Sequence, residues 1–123
     1  MRSVHRLILG KTGEDLACRE LRRRGYAILA RRYRTRVGEI DIVARDGPTV
    51  VFVEVKTRTS SAYGEPSEAV GLAKQRKIWL MASDYLLRQG WDDRPCRFDV
   101  VAIIMREGSV QRLEVVRGAF EGP

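Results

Sequence analysis

Residues 38–58 read GEIDIVARDGPTVVFVEVKTR, and their order decides the fold. Two apolar runs, Ile40 to Ala44 and Val50 to Val55, are separated by Asp46-Gly47-Pro48. Asp-Gly between apolar runs is a hairpin signal, so the spacing predicts two antiparallel neighbours, Glu39 to Arg45 and Thr49 to Arg58. Val50 to Val53 is apolar at every position, which calls for a strand covered on both faces. Each run carries charge at one end. Glu54 and Lys56 share a face because strand side chains alternate, and Glu39 and Asp41 do so by the same rule.

If the hairpin register sets Asp41 beside Glu54, the two carboxylates repel unless a cation lies between them. Two carboxylates are a hard oxygen set, and Mg²⁺ completes such a shell with waters and substrate phosphate. Lys56 then stands where an amine can meet an attacking water or the phosphoryl oxygens. That chemistry suits a metal-dependent phosphodiesterase. The plainer reading makes Asp41 and Glu54 strand-end acids paired with Arg34 or Arg36, and Lys56 a solvated strand-end lysine.

Outward from the hairpin, Thr12-Gly13-Glu14-Asp15 opens a helix with Thr12 as cap. It runs to about Arg24 and stops at Gly25. Ala17, Cys18 and Leu21 form its apolar stripe, and Glu14 shares their face. Tyr26 to Arg36 reads as a first strand, with Arg32, Arg34 and Arg36 on one side. Thr59 to Glu65 reads as a loop, in which Tyr63 is placed to stack on an unpaired base or to act as a packing lid. Pro66 then starts a helix over residues 67–89 that ends at Gly90. Arg97 to Met105 and Val110 to Val116 are two further strands. A basic N-terminal tail (1–11), one domain (12–118) and a C-terminal tail (119–123) complete the organisation. The class is α/β, a mixed five-stranded sheet with helices against it.

The 123-residue chain has 44% hydrophobic residues, enough for a core at this length. Its 23 Lys and Arg against 16 Asp and Glu leave a formal charge of +7, which favours a polyanion over a small acidic metabolite. Arg34, Arg36, Arg58, Lys74, Gln75 and Lys77 are the candidate nucleic-acid contacts. Cys18 and Cys96 form no CxxC pair and read as reduced thiols, and one histidine, His5, excludes a His-based zinc cluster. No apolar run approaches the roughly 20 residues that span a bilayer. Leu7-Ile8-Leu9 is too short for a signal sequence, so a cytoplasmic protein is expected.

The helix with Glu14, GEID and then EVK after a short hairpin resemble the PD-(D/E)XK nuclease superfamily. More closely, the chain resembles the YraN-like family of small bacterial proteins, which are similar to archaeal Holliday-junction resolvases. The likeness extends over Thr12-Gly13-Glu14, Arg24-Gly25-Tyr26, residues 33–41, residues 51–58, Lys74-Gln75-Arg76-Lys77 and residues 97–101. The Pro that the superfamily sets before its Asp is Ile40 here. The resemblance implies a restriction-endonuclease-like fold and an Mg²⁺- or Mn²⁺-dependent endonuclease acting on branched or structured DNA. It implies Asp41, Glu54 and the Val55 carbonyl as metal ligands, Lys56 as the catalytic lysine and Glu14 as an acid reaching the metal shell. It further implies a two-fold dimer. The competing expectations are a nucleic-acid-binding module that keeps the fold without hydrolysis, and a scaffold whose basic surface meets an acidic protein.

Overall fold

Val50 to Val53 becomes the centre of the sheet because each of its faces meets a helix. The computed structural model describes residues 2–59 and 70–121, with the side chains of 12–59 and 70–121. Among the described residues the order is α1 (Arg2–Arg23), β1 (Ala27–Thr35), β2 (Gly38–Asp46), β3 (Thr49–Arg58), α2 (Leu72–Gln89), β4 (Cys96–Arg106) and β5 (Ser109–Phe120). The strands lie in chain order, β1-β2-β3-β4-β5. Every neighbouring pair is antiparallel except β3 and β4, which run parallel with α2 between them in the chain.

The alternation of β3 sorts the core into two layers. Val50 and Phe52 pack with Ile78, Met81, Ala82, Tyr85 and Leu86 of α2. Val51 and Val53 pack with Ala17, Cys18 and Leu21 of α1. Tyr33, Phe52 and Trp91 each meet the Tyr85 ring edge to face, at 5.1, 5.9 and 6.3 Å. The mixed α/β sheet expected from the sequence is therefore present.

Both helices end as their glycines predict. Gly25 is left-handed at φ 92°, with Gly25 N–H donating to Arg22 O and Tyr26 N–H to Leu21 O. Gly90 repeats the motif, with bonds to Leu87 O and from Trp91 to Leu86 O. The start of α1 differs from expectation. It begins at Arg2, so residues 2–11, expected as a loose tail, are helical. Val4, Leu7 and Ile8 have helical spacing, and a Thr cap signal inside a continuous pattern loses to it. At the other end β5 reaches Phe120, past the expected strand limit, and the Phe120 ring stacks on Phe98 at 4.9 Å. Tyr63 and Pro66 lie outside the described residues, but α2 begins only at Leu72 after an extended Gly71, so the helix expected over 67–89 starts later than its sequence suggests.

Asp99 of β4, opposite Val53 of β3, is fully buried. Its Oδ1 accepts from Arg97 Nε at 2.9 Å and from Gly118 N–H at 3.0 Å, and its Oδ2 from Tyr26 Oη at 3.2 Å. Arg97 also donates to Asp46 at 3.1 Å, so three strands and the residue before β1 are tied to one ion pair. Asp99 is thus an ion-pair acid; in register it falls beside Val53, one residue from Glu54 but on the α1 face of the sheet, whereas Glu54 lies on the α2 face.

Candidate metal and phosphodiester site

Three charged residues converge where β2 leaves β3. The β2–β3 ladder starts at Ile42↔Val53, one step inside Asp41 and Glu54. At that step Asp41 Oδ2 accepts the Val55 N–H at 2.7 Å, a bond that a main-chain carbonyl would make in a regular sheet. The side chain thus occupies a ladder position. A strand residue turns its N–H and C=O to the same edge, so the Val55 carbonyl faces the same gap. The kink also shows in the core. Ile40 packs with α2 while Ile42, two residues on, packs with α1.

Glu54 is buried at 7% exposure, on the α2 side of β3 in line with Phe52. Lys56 Nζ stands 3.4 Å from Glu54 Oε1. Lys74, in the first turn of α2, donates to the same oxygen. Burial and the Glu54 charge push Asp41 up to about 7, against the pull of the Val55 N–H. Burial and the neighbouring Lys74 ammonium push Lys56 below the usual lysine range, with Glu54 opposing. For Lys74 burial acts downward, but the hydrogen bond and charge of Glu54 outweigh it and the net direction is up.

Glu14 is also buried, at 7%, but it faces two guanidinium groups. Arg31 Nε donates to Oε1 at 2.9 Å and Arg32 Nε to Oε2 at 3.0 Å. Its charge reaches Asp41 and helps to raise it. Next to it, Gly13 brings the α1 backbone against β3: a Cβ there would sit 2.0 Å from Thr57 Oγ1. Arg31 was not singled out by sequence, because consecutive strand residues point to opposite faces. Arg32 breaks that rule with a left-handed backbone at φ 53°. A left-handed arginine has no sequence signature; the adjacent Arg31-Arg32 pair was the only cue.

The basic residues are spread more widely. Arg34 Nε pairs with Glu39 at 3.1 Å, which makes Glu39 a partner of the arginine. Gln75 donates to Val70 O at 2.8 Å. Arg58 ends β3, opposite Ile104. Glu39, Lys74 and Lys77 line a pocket of about 380 Å³ together with Ile78 and Met81. It shares Val37 and Met81 with a groove of about 860 Å³ that holds Arg34, Arg36, Leu80 and Arg88. Tyr85 and Leu86 are core and Trp79 packs against it, whereas Leu87 is 67% exposed.

The donors suit one metal better than others. Asp41, Glu54 and the Val55 carbonyl offer only oxygen, and few of them. Among the described residues no group of three or more His, Cys, Asp or Glu side chains converges on a metal-sized position. Two carboxylates and a carbonyl are a donor set of the kind that Mg²⁺ or Mn²⁺ takes, with waters and phosphate filling the shell.

Comparison with known proteins supplies relatives of nearly equal length. The model of the uncharacterised protein family UPF0102 matches residues 13–103. A UPF0102 protein of Geobacter sulfurreducens is 50% identical over 119 residues, covering 97% of this chain and 93% of the relative. One from Rhodococcus jostii is 48% identical over 117 residues, 95% of this chain and 99% of its own. One from Desulforapulum autotrophicum is 50% identical over 113 residues, 92% and 93%. The matched span contains Gly13, Glu14, the Asp41, Glu54 and Lys56 set and the whole of α2, and the chain belongs to the uncharacterised protein family UPF0102, the YraN family.

Proposed function

We propose that the protein is an Mg²⁺- or Mn²⁺-dependent endonuclease that hydrolyses phosphodiester bonds in branched or otherwise structured DNA. The observation that carries this reading is the Asp41–Val55 bond. It opens the sheet where two acids, a carbonyl and Lys56 meet, and fixes one carboxylate against the next strand. A surface ion pair needs no such break in a central strand. Asp41, Glu54 and the Val55 carbonyl would hold the ion, which supplies a water of lowered pKa and polarises a phosphoryl oxygen. Lys56 holds a proton at Nζ on the face of Glu54 and donates it to the phosphoryl oxygens or orients the attacking water. Arg34, Arg36 and Lys77 line the adjoining grooves and bind the phosphate backbone, with no element suited to reading bases. Glu14, held by Arg31 and Arg32, acts through its charge on Asp41.

The test is cleavage of labelled four-way junction, flap, single-stranded and duplex DNA with Mg²⁺ or Mn²⁺, beside Asp41→Asn and Lys56→Ala. Structure-selective cutting that both variants lose while still binding DNA supports the proposal. No cutting in any lane, with equal salt-sensitive binding by all three proteins, turns the reading to a binding module that retains the nuclease fold.

A further inference from the structure

Lys56 and Lys74 both meet Glu54 at Oε1, and the two differ. Lys56 comes from the same strand and its side chain is 21% exposed. Lys74 comes from α2 and is 45% exposed, at the rim of the pocket shared with Glu39 and Lys77. The Glu54 side chain itself is 8% exposed, so its charge needs a partner close by. Among the described residues every buried side-chain nitrogen and oxygen has one. The Glu54 charge is therefore neutralised from within by two lysines. A divalent cation on the same carboxylate adds two positive charges beside them, and like charges at contact distance repel. The lysine on the longer tether, at the solvent edge and on a separate element, is the one able to leave.

We propose that Lys74 is an exchangeable internal counter-ion: it holds Glu54 in the metal-free protein and is expelled from it when a divalent cation binds. The inference rests on the metal-site reading above. It couples two events, because the expelled ammonium becomes available to a phosphate in the α2 pocket only after the cation has arrived. By reciprocity, whatever draws Lys74 away from Glu54 tightens cation binding by the same factor.

The test is calorimetric titration of Mn²⁺ into the wild-type protein, Lys74→Met and Asp41→Asn, without nucleic acid, together with melting curves in EDTA and in Mn²⁺. The expected result is Mn²⁺ binding about ten-fold tighter in Lys74→Met, the usual size of a coupling between two sites. Its Tm should fall below wild type in EDTA and return to it in Mn²⁺. Lys74→Gln keeps a hydrogen bond to Glu54 without the charge, so it covers the case of a poorly folded Met variant, with tightening of smaller size. Equal or weaker binding in both Lys74 variants, with uptake lost in Asp41→Asn, overturns the counter-ion and leaves the metal site standing. No uptake by any of the proteins overturns both.

Discussion

Arg32 and Asp41 fall opposite each other across β1 and β2, between the pairs Arg31↔Ile42 and Tyr33↔Ile40, and the regular strand breaks at both. Arg32 does so through its backbone, at φ 53°. Asp41 does so through its side chain, which takes the Val55 N–H. The left-handed turn lets consecutive arginines share Glu14, so one irregularity serves the neutralisation of one acid and the placement of another.

That conformation disfavours any side chain with a Cβ and is free to glycine. Arg32→Ala loses the Glu14 bond and keeps the strain; Arg32→Gly loses the bond and sheds the strain. Urea unfolding should rank wild type and Arg32→Gly above Arg32→Ala. A glycine variant less stable than the alanine variant would show that the left-handed backbone is not strained.

Gly13 should tolerate no side chain while Thr57 is present. Gly13→Ala drives a methyl into Thr57 Oγ1 and costs about 1–3 kcal/mol, the usual range for overpacking. Thr57→Ala in the same chain removes the clashing atom and should recover most of the loss. Additive effects in the double-mutant cycle would argue that α1 moves off β3 freely.

The fold was legible where local pattern and tertiary context agree. Val50 to Val53, the Asp46-Gly47 turn and the glycines at 25 and 90 each have one physical solution, and each is found. The proximity of Asp41, Glu54 and Lys56 was legible, and the three do lie together. The wiring of the site was not. Alternation assigns Arg31 and Arg32 to opposite faces, and only a left-handed residue overrides it. Lys74 reads as a nucleic-acid contact on an exposed helix face, and not as a partner of Glu54, because no sequence rule brings the first turn of α2 onto the end of β3. Thr12 reads as a cap because cap signals are local, whereas helix continuation depends on what lies before them.

The metal-free protein should lose stability as pH rises through the range where Asp41 ionises. In the unfolded chain this carboxyl ionises near its ordinary value of 3.8, and in the fold it stays protonated to about 7. A raised pKa means that the protonated form stabilises the fold. Its contribution is full below the lower value and lost as pH climbs through the upper one. Glu20, held at about 2 by Arg23 and Arg24, has the opposite sign and acts only in acid, so it does not overlap. In EDTA, Tm should decline from about pH 5 to 8, and Asp41→Asn should flatten that decline. Mn²⁺ should reverse it, with proton release on binding at the lower pH. Parallel pH curves for the two proteins would remove Asp41 as the cause.

Removing Asp99 should unfold without disarming. Asp99→Ala strands Arg97 beside a cavity on the α1 face of the sheet and should cost about 3–5 kcal/mol, as for other broken buried pairs. Mn²⁺ affinity measured well below its melting point should stay within about two-fold of wild type, because Asp99 and Glu54 lie on opposite faces of the sheet and share no hydrogen-bond partner. A large loss of affinity in the folded variant would show that the two faces of β3 are coupled.

Arg36→Ala should weaken DNA binding to the same degree for every sequence, and lower the slope of log affinity against log salt by about one. Arg36 is exposed on the rim of the larger groove. An unchanged slope would move the backbone track elsewhere on the surface.

The parallel pairing of β3 with β4 has a consequence for the order in which the molecule assembles. Asp41, Glu54 and Lys56 belong to one hairpin closed by a two-residue turn, whose ends meet at little entropic expense. Pairing β4 requires the whole crossover, with α2 and Lys74, to be in place first. The acids therefore come together early, on a small local unit, and the lysine that screens one of them docks late. On the hairpin alone Glu54 has Lys56 as its ammonium partner, and the second, Lys74, arrives only with α2.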